Sequence, residues 1–205
     1  MNAKWLLQYH LSWITLFFLA TLSAQAATLT LQVKSASGAA VEDAVVYLMS
    51  TLTPRLRIRE PTARIDQINK MFVPAVSVVQ TGTRITFPNK DNIRHQVYSF
   101  SKAKKFEIKL YADTPAKPVL FDNPGYVVMG CNIHDNMIAH MLVVDTPYFA
   151  LSDKRGVAQI VDVPPGDYSL IAWYYMRPDL DAAVTPLSLK TDQAQTLVIK
   201  TRPTD

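Results

Sequence analysis

The chain has 205 residues, with 21 basic against 17 acidic side chains and a formal net charge of +4. That balance is too weak and too mixed to mark a nucleic-acid binder. A single cysteine excludes any internal disulfide.

Residues 1–10 carry one charge, Lys4, and an apolar run over 11–22 leads to Ala24-Gln25-Ala26. This is the pattern of a secretory signal peptide, 1–26, cleaved after Ala26 or Ala27; the run is short for a membrane span. No later segment is long and apolar enough to cross a bilayer, so the mature chain is expected to be exported, in a periplasm or beyond, without stable membrane insertion. In such an oxidising compartment a lone free thiol is a liability, and metal ligation is one way to protect it.

Beyond the leader, short runs rich in Val, Ile, Thr and Tyr alternate with turn residues, and long 3.6-period segments are absent. An all-β fold is expected. Strands are predicted at 28–34 and 44–49 around the turn 35–38. The chain then turns basic and proline-punctuated, with Arg55, Arg57, Arg59 and Arg64, and 54–64 reads as a connector. Strands at 76–79 and 84–87 flank the turn 80–83, and a loop over 88–92 delivers His95 to a strand at 96–100. Strands at 106–110 and 119–121 follow, and one at 126–129 is aimed at Cys131. A strand at 138–144 leaves that region. The last part carries strands at 157–163 and 168–174 and a closing pair at 186–190 and 196–200, with Trp173-Tyr174-Tyr175 reading as core plus one exposed aromatic.

The chemistry concentrates in Cys131-Asn132-Ile133-His134-Asp135-Asn136-Met137. A thiolate, an imidazole and a thioether on one loop form a soft ligand set that suits copper once a second imidazole arrives. His95 is the best candidate, since His10 leaves with the leader and His140 alternates with Ile138 and Leu142 in a strand. Met129 and Met141 lie near Met137 and compete with it as the thioether. Glycine-rich phosphate loops, a Gly-x-Ser-x-Gly elbow and His-Glu-x-x-His are all missing. Four protein ligands leave the ion no evident open position, which favours electron transfer over catalysis. The basic clusters, including Lys102, Lys104 and Lys105, read as solvated faces or as a docking surface for an acidic redox partner.

From Phe72-x-Pro74 through Val76-x-Val78, Gly82-Thr83, Phe87-x-Asn89 and His95 to Cys131-x-x-His134-x-x-Met137, the middle of the chain resembles the cupredoxins. The short ligand loop looks most like the plastocyanin and amicyanin branch. The wider string is similar to exported proteins often labelled methylamine utilisation protein. Gln96 and Ile133 depart from the family, where many members have Asn and Pro. The resemblance implies a Greek-key β-sandwich holding one type 1 copper through His95, Cys131, His134 and an axial Met137, cycling between Cu(II) and Cu(I). The flanks, with Val41-x-Asp43-Ala44-Val45-Val46 and Val163-Pro164-Pro165-Gly166-Asp167-Tyr168, resemble a carboxypeptidase-regulatory-like β-sandwich. A cupredoxin domain over 65–146 is therefore expected inside, or extended by, a second sandwich built from 28–53 and 147–203. The expected function is one-electron transfer to a redox protein. The alternatives are copper storage or delivery, and an interaction module in which copper is structural.

Overall fold

The structure, a computed structural model, describes residues 25–50, 61–115, 117–178 and 183–201. The expected leader, up to residue 24, and the arginine-rich stretch 51–60 of the expected connector lie outside the described residues. Among those described there is no helix. The strands of the first part are β1 (Ala27–Ser35), β2 (Ala44–Met49), β3 (Thr62–Arg64), β4 (Asp66–Ile68), β5 (Met71–Val73), β6 (Val76–Gln80) and β7 (Thr83–Thr86). Then come β8 (His95–Ser101), β9 (Lys104–Tyr111), β10 (Val119–Phe121), β11 (Gly125–Cys131) and β12 (His134–Val144). The last part holds β13 (Phe149–Leu151), β14 (Val157–Val163), β15 (Gly166–Tyr174), β16 (Ala183–Leu189) and β17 (Gln193–Ile199).

Side chains point alternately to the two faces of a strand, so a strand with one wet face alternates apolar and polar residues. β1 shows this directly: Leu29, Leu31 and Val33 are fully buried, while Thr30, Gln32 and Lys34 lie between them on the other face. β1 pairs with β14 and β17 in one sheet, and β2 lies between β13 and β15 in a second sheet that ends in β16. Their facing residues share one apolar core drawn only from 27–48 and 158–199.

The middle of the chain builds a second layered unit. A five-stranded sheet runs β6-β12-β11-β8-β9, and a three-stranded sheet runs β10-β7-β3. Their core joins Val97, Val127, Met129 and Met141 of the larger sheet to Ile85 and Phe121 of the smaller, with Phe72 and Phe87 closing it. A third, smaller cluster joins Leu142 and Val144 of β12 to Val45 of β2 and Trp173 of β15. One face of the five-stranded sheet is therefore partly covered by the flanking strands.

Several boundaries differ from the sequence reading. Residues 62–64 form β3, which pairs in parallel with β7, so the connector ends earlier than residue 64. The segment before Pro74 is a β4–β5 hairpin whose turn, Asn69-Lys70, has φ of 54° and 59°. Positive φ at both central residues is the type I′ geometry that matches strand twist. β16 begins before Pro186 and runs through it. It is an edge strand, where a residue with no N–H breaks no ladder between strands.

Candidate metal centre

Three of the four predicted ligands arrive from the ends of the three interior strands, at one end of the five-stranded sheet. His95 opens β8, Cys131 closes β11 and His134 opens β12. The β11–β12 connection is tighter than the expected loop. Asn132 and Ile133 alone turn the chain, and Cys131 pairs with His134. The register slips there, because Gly130 pairs with Ile138, leaving Asp135 to Met137 as extra residues on β12. That bulge is why the strand begins at residue 134 and not at 138, and it re-aims the side chains beside it.

The geometry converges on the sulfur. Cys131 Sγ stands 3.8 Å from His95 Nδ1 and 3.9 Å from His134 Nδ1. All three donor atoms lie within 4.8 Å of one another, and the two rings are 5.0 Å apart between centroids. Metal–thiolate and metal–imidazole bonds of about 2.3 and about 2.0 Å, set roughly 120° apart, separate sulfur and nitrogen by about 3.7 Å. The observed spacings are those a single ion in the middle would require. His95 is fully buried, Cys131 nearly so and His134 half-buried.

Met137 is fully buried on the inward face of β12, in the same core as Cys131. It shares a groove with Cys131 and Met129. Met141 lies two alternations further along, past Ala139 and opposite Val127, deeper in the sheet. His140 takes no part in the cluster. Its Nδ1 is hydrogen-bonded to the Tyr126 hydroxyl at 2.6 Å.

Asp91 is the residue that the sequence reading missed. Its Oδ2 lies 2.8 Å from His95 Nε2, so His95 is held at one nitrogen and presents the other to the sulfur. The same carboxylate accepts the N–H groups of Asn69 and Lys70, the two residues of the type I′ turn. Burial pushes the Asp91 carboxyl up, but the bonds from Lys70 N–H, His95 and Asn69 N–H outweigh it and hold it below the ordinary value. A carboxylate behind a ligand imidazole fixes its tautomer and ring orientation. Beside His95 in the ladder stands Tyr111, whose hydroxyl donates to Phe87 O at 2.7 Å and accepts from Gln67 Nε2. Burial, chiefly, pushes that hydroxyl up to about 12; the Gln67 bond opposes the rise, and the charge of Cys131 adds to it. The buried Gln67 Oε1 has no hydrogen-bond partner among the described residues. The spacing of Asp91 four residues before His95 was the available signal, but a carboxylate in a loop of Pro, Asn and Lys reads as a turn.

No family model and no curated protein matches the chain. Among solved structures, a purple cupredoxin from Nitrosopumilus maritimus is 19% identical, over 40% of this chain and 99% of its own, with a TM-score of 0.36. Oxidised plastocyanin from Dryopteris crassirhizoma is 15% identical, over 40% of this chain and 100% of its own, at 0.35. A copper-containing nitrite reductase from Thermus scotoductus is 20% identical, over 47% of this chain but 25% of its own length, at 0.38.

Proposed function

We propose that the chain is an exported type 1 copper protein that carries single electrons, its ion held by His95, Cys131 and His134 with Met137 as the weak axial ligand. The observation that carries this reading is the two Nδ1 atoms standing 3.8 and 3.9 Å from one buried thiol. Two imidazoles and one thiolate with a long thioether are the donor set of blue copper. When bound, copper supplies a one-electron couple between Cu(II) and Cu(I).

The chain's own residues supply the rest. Asp91 locks the His95 ring, and the two-residue turn fixes Cys131 against His134, so the donor positions are set before the ion arrives. Preset donors suit electron exchange, because little has to move when the charge changes. Burial of His95 and Cys131 favours retention of the ion over hand-over, which weighs against a delivery role.

Visible absorption and EPR of the copper-loaded chain test the reading. An intense thiolate-to-copper band with a narrow parallel hyperfine splitting is expected, and Cys131→Ser abolishes it. Met137→Leu retains the band, and the potential rises. Folded, copper-loaded protein without the band would refute the proposal.

A further inference from the structure

The outer face of the five-stranded sheet, turned away from its core, can be laid out from the register. Ile138, Gly130, Tyr98 and Glu107 form the row nearest the ligand turn, by the pairings Ile138–Gly130, Gly130–Tyr98 and Tyr98–Glu107. Beyond it His140 stands opposite Val128 and Phe100 opposite Lys105, and Val128 and Phe100 line the same groove. Flanking strands cover the β12 end of this face, where Tyr175 packs on His140 and Trp173 on Tyr126. No described residue covers the other part. Phe100 is 79% exposed, more than any other large apolar side chain among the described residues, and Ile138 46%, so the two form part of one exposed apolar patch.

This open strip is a groove of about 480 Å³ that reaches Cys131, with Tyr98, Phe100 and Ile138 among its walls. Tyr98 and Phe100 lean on each other at 5.3 Å between ring centroids. The hydroxyl end of the Tyr98 ring lies over Gly130, so close that a Cβ there would stand 3.0 Å from its Cζ. Gly130 is the residue bonded to Cys131. The strip therefore touches the thiolate's own peptide through one aromatic contact.

Its rim is charged unequally. Lys105 stands opposite Phe100, and Lys102 sits in the β8–β9 turn beside it. Neither has an ion pair among the described residues, whereas Lys104 is bound to Asp122 at 2.9 Å. Of the acidic groups nearby, Glu107 accepts the Gln96 amide at 2.7 Å, and Asp135 lies at the opposite, ligand-turn end of the groove. The hairpin side is thus positive and the centre apolar.

We propose that this strip is the docking surface for an electron-transfer protein carrying an acidic rim around an apolar patch. The proposal rests on the copper reading above. Phe100 and Ile138 supply the apolar contact, and Lys102 and Lys105 choose the partner by charge. Tyr98 would then give one electron a contact path to the Gly130–Cys131 peptide; the partner would lose that electron, copper bound at the site would gain it in passing from Cu(II) to Cu(I), and no proton or group would move.

Two anionic complexes test it without the natural partner. Hexacyanochromate(III), paramagnetic and inert, broadens NMR signals wherever it rests on the metal-free or Cu(I) chain. Broadening is expected at Phe100, Lys102 and Lys105. Hexacyanoferrate(III) then oxidises the reduced, copper-loaded chain. Lys102→Glu with Lys105→Glu is expected to slow that oxidation about tenfold at low salt, an effect that fades as salt screens the charges. Lys154→Glu with Lys200→Glu changes the net charge equally and slows it far less. Phe100→Ser is expected to leave sedimentation unchanged. Three results would overturn the proposal: broadening centred on Ile133 and His134, equal slowing by both charge pairs, or a dimer that Phe100→Ser dissociates. A chain that lacks the blue band fails the copper reading instead, and that is seen before either complex is added.

Discussion

Asp91 serves two structures with one carboxylate, and the consequences of removing it separate cleanly. One oxygen orients His95, and the pair of oxygens together satisfies the Asn69 and Lys70 amides at 2.6 and 2.8 Å. Outer-sphere carboxylates behind metal-bound imidazoles are worth roughly 10–100-fold in affinity. Asp91→Ala is therefore expected to weaken copper binding by about that factor, read by competition against a chelator of known affinity. It also lowers the melting temperature of the metal-free chain, because two turn amides lose their acceptor. Asp91→Asn keeps one acceptor oxygen for the two amides and recovers only part of that melting loss, and not the affinity. Unchanged affinity in both variants would show that His95 needs no support. The meeting of Cys131, His134 and His95 was legible in the sequence because one thiol and four histidines leave few choices. Asp91 was not, since its role appears only when β4 and β5 fold back onto its loop.

At the scale of the element, β12 joins the ligand cluster to the flanking sandwich. His134 opens it and Leu142 and Val144 end it in the shared cluster with Trp173. Its alternation was readable from residue 138 onward, but its first turn was not, because a bulge breaks the period of two on which such reading depends. His140 lies midway, stacked on Tyr126 at 5.9 Å and tilted on Tyr175 at 4.8 Å. Its Nδ1 shares a hydrogen bond with the Tyr126 hydroxyl, and burial, which disfavours the charged ring, pushes its pKa below the ordinary value. The unfolded chain then takes up this proton at a higher pH than the folded one. Stability from this contact is complete above the ordinary histidine value of about 6.5. It is lost as the pH falls below that value, until the folded ring also protonates. His140→Gln removes the titration and leaves the other histidines alone. Urea unfolding of the metal-free chains between about pH 7 and about pH 5 is expected to show the parent losing more stability than the variant. Parallel losses would place the pH sensitivity elsewhere.

Across the whole molecule, the chain leaves the flanking strands once and returns once. It leaves after β2 and comes back at β13, and these two strands pair directly, Tyr47 opposite Phe149. The Leu48 amide donates to Tyr148 O at 2.9 Å, so the exit and the entry of the intervening segment lie side by side. One core uses only residues on either side of that segment, and another uses only residues inside it. The all-β class and most strands could be read from short β-branched runs, but the nesting rested on weak motifs in the flanks, because two halves of one core give no local signal of belonging together. We propose that the flanking sandwich is an independent folding unit. A chain that joins 27–49 to 148–201 through a short Asn-Gly turn closes a hairpin that already exists, so the cost in loop entropy is small. It is expected to unfold in one cooperative transition and to give dispersed amide spectra. Removing the segment also bares Val45, Tyr47, Leu151 and Trp173, an apolar face that favours self-association. Polar replacements at Tyr47 and Leu151, which lie at its partly exposed margin, should restore solubility without loss of the fold. A soluble but unfolded product would mean that the two cores fold only together, and that the intervening unit is an extension of one sandwich, not a guest within it.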